Sequence, residues 1–448
     1  MIARKYFGTD GVRGEVGVSP VTPAEVLHLG WAAGRVLGAG HARGRVIIGK
    51  DTRISGYLLE SALEAGLSAA GVDIALTGPL PTPGIAYLTR QVGACGGIVI
   101  SASHNPYHDN GIKFFSASGR KLDDKTEEQI EALMRESMHT VAPEALGKAE
   151  RLVDAVPRYA EHCRNTLPPG LRLDGLKVAL DCAHGASYQV GPLVLRELGA
   201  NVSCVGIEPD GFNINRDGGS TRPDTLCELV RKSGSDIGIA FDGDADRVIL
   251  ADANGSLVNG DGILFLLSRH YHSRENFGGV VGTLMTNLGV ERACRSQGIP
   301  FVRAKVGDRY VLEALIERKW TLGGETSGHI LCLDRSTTGD GLVAALAVLE
   351  VMVTSGRSLA ELVSDLETFP QRLINVRLEG ASPNAVIESQ AVIHALRESE
   401  AELGARGRVV LRPSGTEPLV RVMVEADNQN FADQHAERLA AVVLAARA

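Results

Sequence analysis

The amino-acid sequence predicts an α/β protein of several layered sheets that ends in a segment of α+β type. Three observations carry this expectation. A strand–helix–strand pattern occurs three times at similar length. Its strands are continuous apolar runs, as in sheets covered on both faces. The closing segment instead reads helix, strand, strand, helix.

In the first unit, residues 45–49 (RVIIG) read as a buried strand, and Leu58, Leu59, Leu63 and Leu67 mark a helix. Gly71, just after Ala70, is the expected stop, and residues 72–76 begin the next strand. The second unit repeats the plan with a strand at 177–181 (KVALD), a helix at 191–198 and a strand at 201–205. The third places a strand at 279–283, a helix at 290–296 and a strand at 300–304. The closing segment reads as a helix over 384–403, strands over 408–412 and 419–425, and an amphipathic helix from about 431. Boundaries fall near residues 154, 253 and 368, giving expected domains 1–154, 155–253, 254–368 and 369–448.

Composition narrows the function. The net charge of -8 over 448 residues argues against nonspecific nucleic-acid binding, which needs a basic surface. The seven cysteines are scattered without a CxxC pair, as in a protein of a reducing compartment. No apolar stretch follows the charges of the N-terminus, and the best apolar run, 342–349, is too short to span a bilayer. A cytoplasmic protein is the expectation.

Four loops hold chemistry. The apolar strand 97–101 ends in Ala102-Ser103-His104-Asn105-Pro106, which offers a serine hydroxyl at a strand mouth. A tight turn is expected at Asp109-Asn110-Gly111, with Lys113 returning a cation to the same region. The apolar strand 237–241 runs into Asp242-Gly243-Asp244-Ala245-Asp246-Arg247. Three alternating carboxylates repel one another unless a cation joins them, and hard oxygen donors select magnesium or calcium. Gly323 to His329 is a glycine-rich loop whose Glu325, Thr326 and Ser327 can reach sugar hydroxyls. Arg412 and Arg421 can fork onto phosphate oxygens, and the loop Ser414-Gly415-Thr416 can form an anion nest. Two lesser segments add cations: Lys305 and Arg309 in KVGDR, and Arg13, expected in a glycine-flanked turn. Taken singly, each of these segments also reads as a polar turn.

The segments SASHNP, DGDADR, GETSGH and RPSGTEP, in this order along the full chain, resemble the α-D-phosphohexomutase superfamily. FGTDGVRG and KVGDRYV are most similar to its bacterial phosphoglucosamine mutase branch. The resemblance implies four domains around a central cleft, three with an α/β core and mixed sheets and a fourth of α+β type. It implies an intramolecular phosphotransferase that interconverts glucosamine 6-phosphate and glucosamine 1-phosphate through a phosphoserine enzyme and a bisphosphorylated sugar, for UDP-N-acetylglucosamine and cell-wall precursor synthesis. By matching position, Ser103 resembles the phosphoserine. Asp242, Asp244 and Asp246 resemble ligands of one Mg2+, with the seryl phosphate as another. Glu325 and Ser327 resemble the pair that binds sugar hydroxyls. Arg412, Ser414, Gly415, Thr416 and Arg421 resemble the site of the non-reacting phosphate. Arg13, His104, Lys113, Arg247, Lys305, Arg309 and His329 resemble supporting groups, some of them acid or base. A sugar 1,6-bisphosphate is implied as activator, neither a nucleic acid nor a membrane as partner, and a homodimer is left open. One departure stands in the sugar loop, where the branch commonly carries Gln and this chain has Thr326. The rival readings are the same chemistry on glucose or mannose phosphates, a non-catalytic sugar-phosphate sensor and a phosphatase.

Overall fold

The computed structural model describes every residue except 1–5, 9, 273, 275–276, 379, 415–417 and 447–448. It divides into two compact units, one of Met1–Val281 with Gly307–Ser364, the other of Gly282–Val306 with Asp365–Ala448.

The first unit opens on a six-stranded mixed sheet in the order Val12–Glu15, Asp109–Ser116, Gly96–Ile100, Arg45–Lys50, Asp73–Pro79 and Ala149–Arg151. The last four of these run parallel. Helices Pro23–Leu37 and Ser55–Ala69 cover it, and Val26, Leu29, Leu59, Leu63, Leu67, Ile48 and Ile98 share one core. Each such side chain contributes roughly 1.5–3 kcal/mol by leaving water. Leu58, expected on the apolar stripe, lies on the solvent side. Gly71 has φ +83°, the left-handed turn that stops the helix.

A second mixed sheet follows in the order Leu257–Val258, Val248–Asp252, Ile237–Phe241, Lys177–Asp181 and Asn201–Val205. Farther on, Leu322–Gly324 pairs parallel with Val280–Thr283 and antiparallel with Ile330–Cys332. The apolar helix Gly341–Ser355 is buried along most of its length, which explains its lack of a polar face.

In the second unit, Gln371–Arg377, Leu419–Ala426 and Gly407–Pro413 form an antiparallel sheet. Val392, Leu439 and Val443 of helices Gln390–Leu403 and Gln429–Ala445 pack with Val420, Val422 and Val424 of the central strand. This is the expected α+β pattern. The single helix expected over 384–403 is two, Pro383–Ile387 and Gln390–Leu403, because Ser389 takes an extended conformation and caps the second through Val392 N. Among the described residues no helix is long and apolar enough to cross a membrane.

Candidate active site

Two strand ends in the first unit build the site. Gly96–Ile100 ends at Ser101, and Ile237–Phe241 ends at Asp242. Both strands are fully buried, so their exits are fixed by the core behind them. Ser103 Oγ donates to Asp242 Oδ2 at 2.6 Å, across 139 residues of chain. Asp242, Asp244 and Asp246 each present one oxygen within 4.8 Å of the others.

Three buried carboxylates this close need cations. Lys113 Nζ supplies one, 2.8 Å from Asp244 Oδ2 and 3.4 Å from Asp246 Oδ2. Burial alone would lower the Lys113 pKa, but the carboxylates of Asp10, Asp244 and Asp246 outweigh it and raise it. Asp242 is pushed up to about 8, first by burial and then by Asp246 and Asp244. Asp246 is held well below the usual carboxylate range, since Lys113 and His329 outweigh its burial. Asp244 Oδ1 and Asp246 Oδ1 are buried and lack a hydrogen-bond partner among the described residues. Buried, unsatisfied and converging oxygens are what a small hard cation requires, so these residues fit a divalent metal.

Lys113 also begins a closed ring in which basic and acidic side chains alternate. Asp10 Oδ2 lies 3.4 Å from it, and Lys121 bridges Asp10 to Asp308. His329 Nε2 is 3.6 Å from Asp308, and its Nδ1 is 3.6 Å from Asp246, which returns to Lys113. Burial opposes charge on His329, but Asp246 and Asp308 outweigh it and raise its pKa. His104 Nδ1 lies 3.4 Å from Ser103 Oγ and 3.2 Å from Arg247 Nη1. Burial, then Arg247 and Arg13, lower the His104 pKa to about 4, so its imidazole is neutral near pH 7.

Glu325 Oε1 accepts from Gly307 N at 2.9 Å, and Ser327 is exposed beside it. Thr326 Oγ1 donates to Asp261 at 3.0 Å, inside the protein's own framework. In the second unit Arg412 stands directly opposite Arg421 in the antiparallel register. Partial burial, then Arg421, lower the Arg412 pKa, and Arg421 Nε is buried without a hydrogen-bond partner among the described residues. Like charges placed opposite each other destabilise a sheet pair, which suits a place meant for an anion.

Models of phosphoglucomutase/phosphomannomutase domains match most of the chain: α/β/α domain I over residues 4–140, domain II over 157–255, domain III over 259–369 and the C-terminal domain over 373–442. A phosphoglucosamine mutase of Ralstonia pickettii (strain 12J) is 57% identical, over 99% of this chain and 100% of that protein. One of Chromohalobacter salexigens is 58% identical, over 98% of each. The chain belongs to the phosphoglucosamine mutase family. It is a phosphohexomutase, an isomerase. Among solved structures, a phosphoglucomutase/phosphomannomutase family protein from Burkholderia thailandensis has the same fold, with a TM-score of 0.81, 23% identity and coverage of 98% and 96% of the two chains. An Aspergillus fumigatus N-acetylphosphoglucosamine mutase, solved in complex with GlcNAc-6P and magnesium, has a TM-score of 0.67 at 18% identity, with 99% and 96% covered.

Of the residues expected to act in this phosphohexomutase, the structure gathers Ser103, His104, Lys113, Asp242, Asp244, Asp246, Arg247 and His329. Two expectations, both of turns, need correction. Arg13 lies in strand Val12–Glu15, not in a turn, and its Nη2 donates to Asp10 Oδ2 at 2.6 Å. Residues Asp109–Gly111 begin strand Asp109–Ser116 instead of turning, because both Val12–Glu15 and Gly96–Ile100 pair with that strand. Arg309 is engaged on the surface by Asp124 at 2.5 Å and Glu313 at 2.9 Å. Lys305 is exposed after strand Phe301–Ala304 in the second unit. Ser414 N donates to Leu419 O at 2.9 Å, while Gly415 and Thr416 lie outside the described residues.

Sequence reasoning missed Thr82, whose hydroxyl donates to Asp244 Oδ2 at 2.6 Å and whose amide donates to Asp244 O at 3.0 Å. It also gave no role to Asp10, Lys121 or Asp308, although FGTDGVRG and KVGDRYV contain two of them. A separate cavity of about 520 Å³ is lined by His162, Arg274, Asp334, Arg335 and Glu350 and shares no residue with this cluster. Both its arginines already pair with Glu350, at 2.7 and 2.6 Å.

Proposed function

We propose that Ser103 carries a phosphoryl group between enzyme and sugar, and that the chain thereby interconverts glucosamine 6-phosphate and glucosamine 1-phosphate. The observation that carries this reading is the 2.6 Å approach of Ser103 Oγ to Asp242, inside the only cluster of three carboxylates among the described residues with metal-ligand spacing.

In the first half-reaction the phosphorus–oxygen bond to Ser103 breaks and a bond to the sugar's O1 forms. The proton of that hydroxyl passes to a base, for which neutral His104 is suited by its place 3.4 Å from the serine oxygen. The bisphosphorylated sugar then turns over. Its 6-phosphoryl group returns to Ser103, and O6 takes a proton. Asp242, Asp244 and Asp246, with the seryl phosphate, would hold Mg2+, which supplies charge neutralisation for the group in transit. Lys113, Arg247, Arg13 and His329 complete the cationic wall. Glu325 and Ser327 bind sugar hydroxyls. Arg412, Ser414, Gly415, Thr416 and Arg421 hold the phosphate that does not react, with Lys305 nearby in role, and Arg309 serves only if it leaves Asp124 and Glu313. In this reading each of the domains 1–154, 155–253, 254–368 and 369–448 supplies one loop. The seven unpaired cysteines support work in the reducing cytoplasm.

The test is a coupled assay of glucosamine 6-phosphate conversion, with and without a trace of the 1,6-bisphosphate. Glucose and mannose 6-phosphates run in parallel. A higher kcat/KM for either would replace the substrate assignment and leave the phosphoserine chemistry standing.

A further inference from the structure

Arg53 has the largest fully buried side chain among the described residues, and the chemistry above gives it no part. It follows strand Arg45–Lys50 in the segment Asp51-Thr52-Arg53. Its guanidinium pairs with Asp51, which is equally buried. Its remaining donors go to the serine loop, since Nη2 donates to the carbonyl of Ser103 at 3.2 Å and to that of Asn105 at 2.5 Å. From the second α/β layer, Asn215 Nδ2 donates to the same two carbonyls, at 2.9 and 3.2 Å. Gly243 lies against this meeting point, where a methyl group would come within 2.5 Å of Ser103 O and 2.8 Å of Asn215 Nδ2. On the other side of Ser103, its amide donates to Ser101 Oγ at 2.9 Å, and Ser101 Oγ donates to Asp51 Oδ2 at 2.5 Å.

Both peptide groups flanking the Ser103 Cα are therefore held. This matters because Ser103 has φ +51°, a region that non-glycine residues avoid. Such a conformation persists only where the surroundings over-determine it. Were the loop to relax to negative φ, the Cα–Cβ bond would swing and Oγ would leave Asp242.

We infer that Arg53 and Asn215 are positioning residues for the transfer step: together they lock the carbonyls of Ser103 and Asn105, and so hold the Ser103 hydroxyl aimed at the aspartate trio. The inference rests on Ser103 being the phosphoryl carrier.

Asn215 offers the clean test. It has φ +57°, a conformation glycine adopts readily, so Asn215→Gly removes the side chain without straining the backbone. Asn215→Asp keeps the size and turns an acceptor toward two carbonyls. Arg53→Lys keeps the charge against Asp51 but donates from one point only. Three quantities are measured on the full chain: kcat and KM for glucosamine 6-phosphate, the single-turnover rate at which glucose 1,6-bisphosphate phosphorylates the protein (by intact mass), and Tm. The expected result is a fall of about 10- to 100-fold in kcat and in the phosphorylation rate, with KM near wild type, since a misplacement near 1 Å costs about that much. Near-wild-type kcat in the folded Asn215 variants, with only Tm lowered, would overturn the inference. Should Asn215→Asp not fold, Asn215→Gly decides alone. Ser103→Ala in the same assay separates the two claims. If it turns over normally, the phosphoserine reading falls and takes this inference with it. If it is dead while the Asn215 variants are normal, only the inference falls.

Discussion

The aspartate cluster of the first unit and the arginine pair of the second handle charge in opposite ways. Around Asp244 and Asp246 the charges are buried and partly answered, by Lys113 at 2.8 and 3.4 Å and by His329 at 3.6 Å, with one oxygen of each aspartate left without a hydrogen-bond partner among the described residues. Arg412 and Arg421 face each other across a strand pair, partly exposed, with Arg421 Nε left without a partner among the described residues. The first arrangement is preorganised to do chemistry. The second is left incomplete, and under the proposed function an arriving anion would complete it. Reacting groups gain from rigid surroundings that need no rearrangement at the moment of transfer. A holding site gains from unspent charge.

The largest effect expected at the first region is that of Ser103→Ala. It should lower kcat by about 10⁴-fold or more, while circular dichroism and Tm stay near wild type. A folded variant with ordinary turnover would remove the serine from the chemistry. Next, EDTA should reduce turnover by about 10³-fold, and magnesium should restore it. Full activity in EDTA would mean that the trio is answered by Lys113 alone.

Arg421→Ala probes the other region. It should raise KM for the sugar phosphate by about 10- to 100-fold, the worth of a charge-assisted hydrogen bond, with a smaller change in kcat. Arg421→Lys should fall between, lacking the fork. A pure loss of kcat would erase the contrast between a reacting and a holding region. Lys113→Met sharpens it from the stability side. Removing one member of a buried charge cluster costs about 3–5 kcal/mol, read as urea unfolding in EDTA, and magnesium should recover part of it.

The smallest effect concerns His104. Its folded pKa of about 4 lies below the ordinary 6.5, so between these values the unfolded chain binds more protons. Stability is then fully present above pH 6.5 and is lost as pH falls toward 4. His104→Gln should flatten that acid limb of the urea midpoint.

Much of this was readable from the sequence, for a physical reason. Strand Ile237–Phe241 is apolar throughout and begins and ends where the pattern places it, since burial on both faces leaves no polar position to blur the edge. The loop that follows it holds Asp242, Asp244 and Asp246, on a root fixed by the buried strand behind it. What stayed hidden is long-range. Thr82 meets Asp244 across 162 residues and Arg53 meets Ser103 across 50, and neither contact leaves a local periodicity. Asp-Asn-Gly at the start of strand Asp109–Ser116 is turn chemistry, overridden here by pairing on both sides. The break before Gln390 hung on one serine cap inside an otherwise helical run.

The ring through Lys113, Asp10, Lys121, Asp308, His329 and Asp246 has an even number of members and alternates basic with acidic side chains. Neutralising one member leaves its two like-signed neighbours facing each other without a mediator. Removing an adjacent acid and base together shortens the circuit and keeps its parity. Among natural relatives, change at these six positions should therefore travel in couples, and a lone replacement should be rarer than the double one that contains it.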